Sequence, residues 1–161
     1  MEEHVVYLAL GSNMGNRAAN LKEAIASLAP QMEVKAKSAV YETEPWGYEE
    51  QEKFLNQAVR VETYLKPEPL LKHLKRLEVA LGRKESFQNG PRLIDIDILF
   101  YDDLVMYSPS LNIPHAHLHE RAFVLVPLMD IASDLVHPVK KKSIRELALF
   151  ADVSGVRKFE G

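Results

Sequence analysis

The chain contains no cysteine, which excludes a disulfide framework and any thiolate metal site. No Gly-x-x-x-x-Gly-Lys-Ser/Thr run occurs in it, so a P-loop ATPase is excluded. There is no excess of positive charge: 20 Lys and Arg against 23 Asp and Glu give a net charge of −3. That balance argues against a dedicated nucleic-acid binder and against a cationic membrane-surface protein. No apolar run is long enough to span a bilayer. Met1-Glu2-Glu3-His4 is acidic and lacks a basic n-region, so no secretory signal is read there and the expected location is the cytoplasm. Tryptophan occurs once, at Trp46. With no repeat, linker or low-complexity segment, 161 residues at 47% hydrophobic are expected to form one domain, 1–161, with a sizeable core.

What is present is concentrated in Asn89-Gly90-Pro91-Arg92-Leu93-Ile94-Asp95-Ile96-Asp97-Ile98-Leu99-Phe100-Tyr101. From Leu93 onward the run is apolar and β-branched, as in a buried strand. Asp95 and Asp97 interrupt it at i and i+2, where strand propensity disfavours them. Alternation puts both carboxylates on one face and Ile94, Ile96 and Ile98 on the other. Two like charges so close need a counter-charge, and Mg²⁺, which takes one or two carboxylates plus phosphate oxygens, supplies one. The alternative is a pair of solvent-facing aspartates on an edge strand.

Around this strand the pattern is strand, helix, strand, strand, helix, strand. Val5 to Leu10 reads as a first strand, followed by a turn at Gly11-Ser12-Asn13. Gly11 and Gly15 bracket a loop able to present N–H groups to an anion or simply to turn the chain. Leu21, Ile25 and Leu28 follow at helical spacing, with Pro30 as the stop. Val34 to Tyr41 is a second strand. Residues 42–53 form a long acidic loop around Trp46, which serves either as a lid element or as a core residue folded back. Phe54 to Tyr64 is a third strand. Pro67 and Pro69 open a helix with a Leu70, Leu74, Leu77, Leu81 stripe, Glu78 at its border and Gly82 as its cap. Residues 83–92 form a second loop, carrying Arg83, Lys84 and Arg92 into the aspartate strand, an arrangement suited to a polyphosphate. Asp102-Asp103 predicts a hairpin turn, with Leu104 to Tyr107 returning. Residues 120–128 predict a buried helix despite Pro127. Ser143 to Phe150 predicts a terminal helix, with Ser143 and Glu146 in capping-box spacing. This order is that of an α+β, ferredoxin-like antiparallel sheet with helices packed on it, a three-layer α-β-α arrangement. His115-x-His117-x-His119 has no matching carboxylate-histidine frame and is not read as a zinc site.

Gly90-Pro91-Arg92-Leu93-Ile94-Asp95-Ile96-Asp97-Ile98-Leu99 closely resembles the signature of the 6-hydroxymethyl-7,8-dihydropterin pyrophosphokinase family. Further landmarks fall in the family's order: Gly11-Ser12-Asn13, Tyr41-Glu42-Thr43 with Pro45 and Gly47, Phe54-Leu55-Asn56, Leu81-Gly82-Arg83, Ile113-Pro114-His115 and Arg121-Ala122-Phe123. The resemblance implies transfer of pyrophosphate from ATP to the hydroxymethyl group of the reduced pterin, releasing AMP, in folate biosynthesis. It implies that Asp95 and Asp97 hold two Mg²⁺ ions, with Arg83 and Arg92 closing over the phosphates. His115 and Arg121 match positions that contact the nucleotide, and Glu78 and Ile98 align with residues lining the ATP site. Phe54 and Phe123 match the aromatic pair that sandwiches the pterin, and Asn56 offers its amide to the pterin edge. Thr43 and Pro45, with Trp46 on the same loop, sit where loop backbone completes that recognition. The expected partners are ATP and 6-hydroxymethyl-7,8-dihydropterin, with no nucleic acid and no membrane, for a monomer or weak dimer.

Overall fold

The computed structural model describes residues 2–44, 52–82 and 93–160. Strand β1 (His4–Ser12) lies at the centre of the sheet, between β4 (Phe54–Thr63) and β5 (Asp95–Tyr101), antiparallel to both. The other edge of β4 is shared by β2 (Met32–Lys37) and then β3 (Tyr41–Thr43). A last strand, β8 (Val156–Lys158), pairs with β3. With β2 and β3 counted as two halves of one edge strand, the order is the ferredoxin-like one, 4-1-3-2. The sheet carries helices on both faces, which is the three-layer α-β-α arrangement.

The layers follow from alternation. Val6, Leu8 and Leu10 of β1 join Ile94, Ile96 and Ile98 in one core. That core is closed by α1 (Arg17–Ala26) and α2 (Pro67–Ala80), through Leu21, Leu70 and Leu74. Tyr7, Leu99 and Phe100 face the other way, onto α3 (Ala122–Ala132) and α4 (Ile144–Leu149), through Val124, Leu125, Leu128 and Leu147. The ends of the helices match their sequence signals. Asn16 caps α1 by accepting from the Ala19 N–H, and Gly82, at φ +96°, follows α2 in the left-handed conformation its missing side chain permits. Ser143 and Glu146 form the reciprocal capping box of α4.

Several boundaries differ from expectation, among them the start of the acidic loop, since Glu42 and Thr43 belong to β3 and pair with β4. Val34 to Tyr41 is not one strand: at Ser38 the side-chain oxygen, not a backbone carbonyl, accepts the Ala58 N–H, and the Ala39 N–H turns to Asp130 on α3. Gly11 and Ser12 belong to β1, so the turn starts at Asn13 rather than at Gly11. Asp102 does turn the chain, at φ +49°. However, β6 (Met106–Tyr107) returns onto β7 (Asn112–Ile113) instead of β5. Glu120 lies in a 3-10 turn (Leu118–Glu120), and α3 begins only after Arg121. Strand β8 was not expected at all, because three residues with one half-buried carry no periodic signal.

Candidate active site

The site is a depression on the α3 face of the sheet, and its floor is the C-terminal half of β1. Ala9 stands opposite Asp97 on one side and Ala58 on the other; Gly11 stands opposite Asp95 and Asn56. A carboxylate pair and a buried amide are thus held one strand apart on each side of two small residues. A Cβ on Gly11 would come within 3.0 Å of Asn56 Oδ1 and 3.7 Å of the Phe54 ring. Glycine is therefore required here for the hollow, not for a turn.

On the β5 side, Asp95 and Asp97 are half-buried on one face, as their spacing predicts. Behind them, Glu78 of α2 is 1% exposed and its Oε2 accepts the Ile96 N–H at 2.7 Å. The peptide between the two aspartates is thereby pinned from the opposite face. Lys75 Nζ stands 3.5 Å from the other oxygen of Glu78. Glu78 is thus no surface residue, and it lies behind the sheet rather than in the pocket. The side chain of Ile98, 4% exposed, is likewise packed in the α1/α2 core, away from the carboxylate face.

Beyond Asp97 the alternation breaks. Leu8 pairs with Ile98 and Tyr7 with Phe100, so Leu99 is a bulge residue facing the α3 side together with Phe100. Its carbonyl, released from the ladder, accepts the His115 N–H at 3.0 Å. Bulges re-aim backbone in this way beside active sites, and here the bulge brings His115 beside Asp97. Burial lowers the pKa of His115 below the ordinary 6.5; Arg121 and His117 push the same way, against the raising effect of Asp97. Nδ1 accepts the His117 N–H at 3.2 Å, so the neutral ring carries its proton on Nε2.

On the β4 side, Thr43 and Asn56 are buried, and Asn56 Nδ2 donates to Thr43 Oγ1 at 2.8 Å. Phe54 lies across the ladder from Thr43. Phe123, in the first turn of α3, lines the same pocket, with the Arg121 guanidinium 5.6 Å from the centre of its ring. The pocket volume is about 180 Å³, with the ionisable side chains of Asp95, Asp97, His115 and Arg121 among its lining. Phe54, Phe123, Asn56 and Thr43, also in the lining, suit a flat heterocycle.

Residues 7–133 match the model of the 7,8-dihydro-6-hydroxymethylpterin-pyrophosphokinase (HPPK) family. The chain belongs to this family. It is 46% identical over 156 residues to the 2-amino-4-hydroxy-6-hydroxymethyldihydropteridine pyrophosphokinase of Methylorubrum extorquens, covering 96% of this chain and 98% of that one. Its identity to the Aquifex aeolicus protein of the same name is 43% over 141 residues, with 88% of each chain covered. The folic acid synthesis protein FOL1 of Dictyostelium discoideum is 46% identical over 135 residues; the match takes in 84% of this chain but spans only 20% of that protein. Among solved structures, Plasmodium falciparum HPPK-DHPS with pteroate superposes with a TM-score of 0.74 at 18% identity, over 92% of this chain and 42% of that one. That likeness speaks for the fold.

Of the residues expected to line an HPPK site, the structure brings Asp95, Asp97, His115, Arg121, Phe54, Asn56, Thr43 and Phe123 around one pocket. It places the side chains of Glu78 and Ile98 behind the strand. Pro45, Trp46, Arg83 and Arg92 lie outside the described residues. Leu10, Glu44, Leu99 and Val124 also line the pocket, as do Ala9 and Gly11; sequence reasoning placed none of these six on the pocket wall and read Gly11 only as part of a turn or an anion-presenting loop. The signal for Ala9 and Gly11 was available: small residues at i and i+2 in a strand of otherwise large apolar residues mark a hollow.

Proposed function

We propose that this pocket is where a diphosphate passes from ATP to the hydroxymethyl group of 6-hydroxymethyl-7,8-dihydropterin, leaving AMP. As a member of the family, the chain is an ATP-using diphosphotransferase of folate biosynthesis. The observation that carries the assignment to this pocket is the union, across Ala9 and Gly11, of a carboxylate pair with an aromatic-and-amide wall.

The donor set suits Mg²⁺. Asp95 and Asp97 offer two carboxylates on one face, and among the described residues no group of three or more His, Asp or Glu forms a cage. Mg²⁺ retains water and phosphate oxygens around one or two carboxylates. We take Asp95 and Asp97 to hold two such ions; when bound, they neutralise the polyphosphate and polarise the attacked phosphorus. The chain's own residues do the rest. His115, neutral and donating from Nε2, and Arg121 bind nucleotide oxygens. Arg83 and Arg92 meet the charge that moves onto the leaving AMP. Phe54 and Phe123 hold the pterin flat, and Asn56, oriented by Thr43, keeps donor and acceptor capacity for its edge. Pro45 and Trp46 are assigned to pterin recognition in this reading. Glu78 and Ile98 serve the nucleotide side by fixing β5 from behind. The reading takes residues 1–161 as one domain acting in the cytoplasm as a monomer or weak dimer. Its one-domain part is supported by a sheet that is continuous from β5 to β8; among the described residues no helix is long and apolar enough to cross a membrane.

The test is incubation with ATP, Mg²⁺ and the pterin, followed by phosphorus NMR. AMP and a pterin diphosphate, formed only when pterin is present, are expected. ADP as product, or phosphate released from ATP alone, would overturn the reading.

A further inference from the structure

Thr43 ends β3 and Phe54 begins β4, and the two stand opposite each other in the ladder. Three residues of β3 are too few to fix this hairpin end by pairing alone. Outside the pocket, Arg17 at the start of α1 spans the two strands. Its Nη1 donates to Glu42 Oε2 at 2.8 Å and to the Lys53 carbonyl oxygen at 2.8 Å. Glu42 precedes Thr43 and Lys53 precedes Phe54, so one guanidinium grips the residue before each wall side chain. Asn13, 1% exposed, adds a tie from the same end of β1 by donating Nδ2 to the Glu52 carbonyl at 3.0 Å.

Arg17 is itself held from outside. Its Cζ lies 5.5 Å from the centre of the Phe159 ring, and the Phe159 N–H donates to the Val40 carbonyl at 2.8 Å. Strand β8, just before Phe159, pairs Val156 with Thr43 and Arg157 with Glu42. A ring against a guanidinium face leaves the N–H fork free to work in its own plane. The Arg17–Glu42 pair is 20% and 28% exposed, so it is less screened than a surface pair. Residues 156–159 fall outside the 7–133 stretch matched by the family.

We propose that Arg17, braced by Phe159, is a positioning residue that sets the Thr43–Phe54 wall for the pterin. The inference rests on the reading of that wall as the pterin half of the site. It assigns Arg17 no contact with either substrate; the effect is transmitted through Glu42 and Lys53.

The test compares full-length Arg17→Ala, Arg17→Lys, Glu42→Gln and Phe159→Ala, with Phe54→Ala as the reference for the wall. Pterin binding is measured by calorimetry in the presence of Mg²⁺ and a non-hydrolysable ATP analogue, and both KM values and kcat are measured by product formation. Arg17→Ala is expected to raise pterin Kd and KM on the order of tenfold, while ATP KM and kcat stay within about twofold. Arg17→Lys, with one ammonium for two acceptors, should recover part of the loss; Glu42→Gln and Phe159→Ala should show the same signature more weakly. A lowered melting temperature with both KM values unchanged, or equal loss for both substrates, would overturn the inference. If Phe54→Ala weakens pterin binding and Arg17→Ala does not, the role of Arg17 alone falls. If Phe54→Ala leaves pterin binding intact, the wall is misassigned and the role of Arg17 falls with it.

Discussion

At the level of single residues, position in the strand decides role. Asp95 and Asp97 were legible because two charges at i and i+2 inside an apolar run are costly unless something binds them. Asp97→Asn keeps the size but removes one charge from that pair. We expect kcat to fall by about a hundredfold or more with the melting temperature nearly unchanged, because Asp97 packs against the open pocket. Near-normal turnover would remove Asp97 from the metal site. Phe123→Ala separates the two halves of the pocket in the same way. Loss of one stacked ring is expected to weaken pterin binding by about tenfold and leave ATP binding nearly intact, as read by calorimetry; the reverse pattern would reject the stacking role. Gly11 was misread because glycine signals a turn far more often than an empty space. Glu78 was ambiguous because a residue at the border of a helical stripe can face either way, and only the Ile96 N–H, 18 residues on, shows which.

Elements were legible wherever their own residues carry the signal. The Leu70–Leu81 stripe, the Ser143/Glu146 box and the Gly82 cap are local and were read correctly. The break at Ser38, the bulge at Leu99 and strand β8 are set by partners elsewhere, namely Asp130, His115 and β3, so no window along the chain contains them. The same distinction separates two kinds of damage. Gly82→Ala strains a left-handed residue and brings a Cβ within 3.0 Å of Leu93 Cδ2. It should cost about 1–2 kcal/mol, seen in urea denaturation. Glu78→Ala instead leaves the buried Ile96 N–H without its carboxylate and should cost about 1–3 kcal/mol. Because Ile96 lies between the two aspartates, Glu78→Ala should also lower kcat, whereas Glu78→Gln, which keeps an acceptor oxygen, should recover much of both. A stability loss in Glu78→Ala with unchanged kcat would mean that β5 holds its aspartates without help from α2.

For the molecule as a whole, the ferredoxin-like order was legible because each crossover is a helix with its own start and stop signals. The pairing of β2, β3 and β8 along one edge was not, since it arises only once β4 is in place. The same assembled state governs the response to pH. His73, His115 and His137 are all lowered from 6.5, chiefly by burial. A folded pKa below the unfolded one means the unfolded chain takes up the proton first, so stability is unaffected above about pH 6.5 and falls as pH drops from there toward the lowered values. At the other end, Tyr41 and Tyr101 are raised from 10.0 to about 12, in both cases chiefly by burial; next come the Asp130 hydrogen bond for Tyr41 and the Asp102 charge for Tyr101. Raised folded values leave stability intact below about pH 10 and remove it as pH climbs through 10 toward 12. Denaturant midpoints should therefore form a plateau between about pH 6.5 and 10 with a fall on each side. His115→Gln should shallow the acid limb, and Tyr41→Phe the alkaline one. A variant that shifts the plateau height but leaves both slopes untouched would show that these groups titrate alike in the folded and unfolded chains.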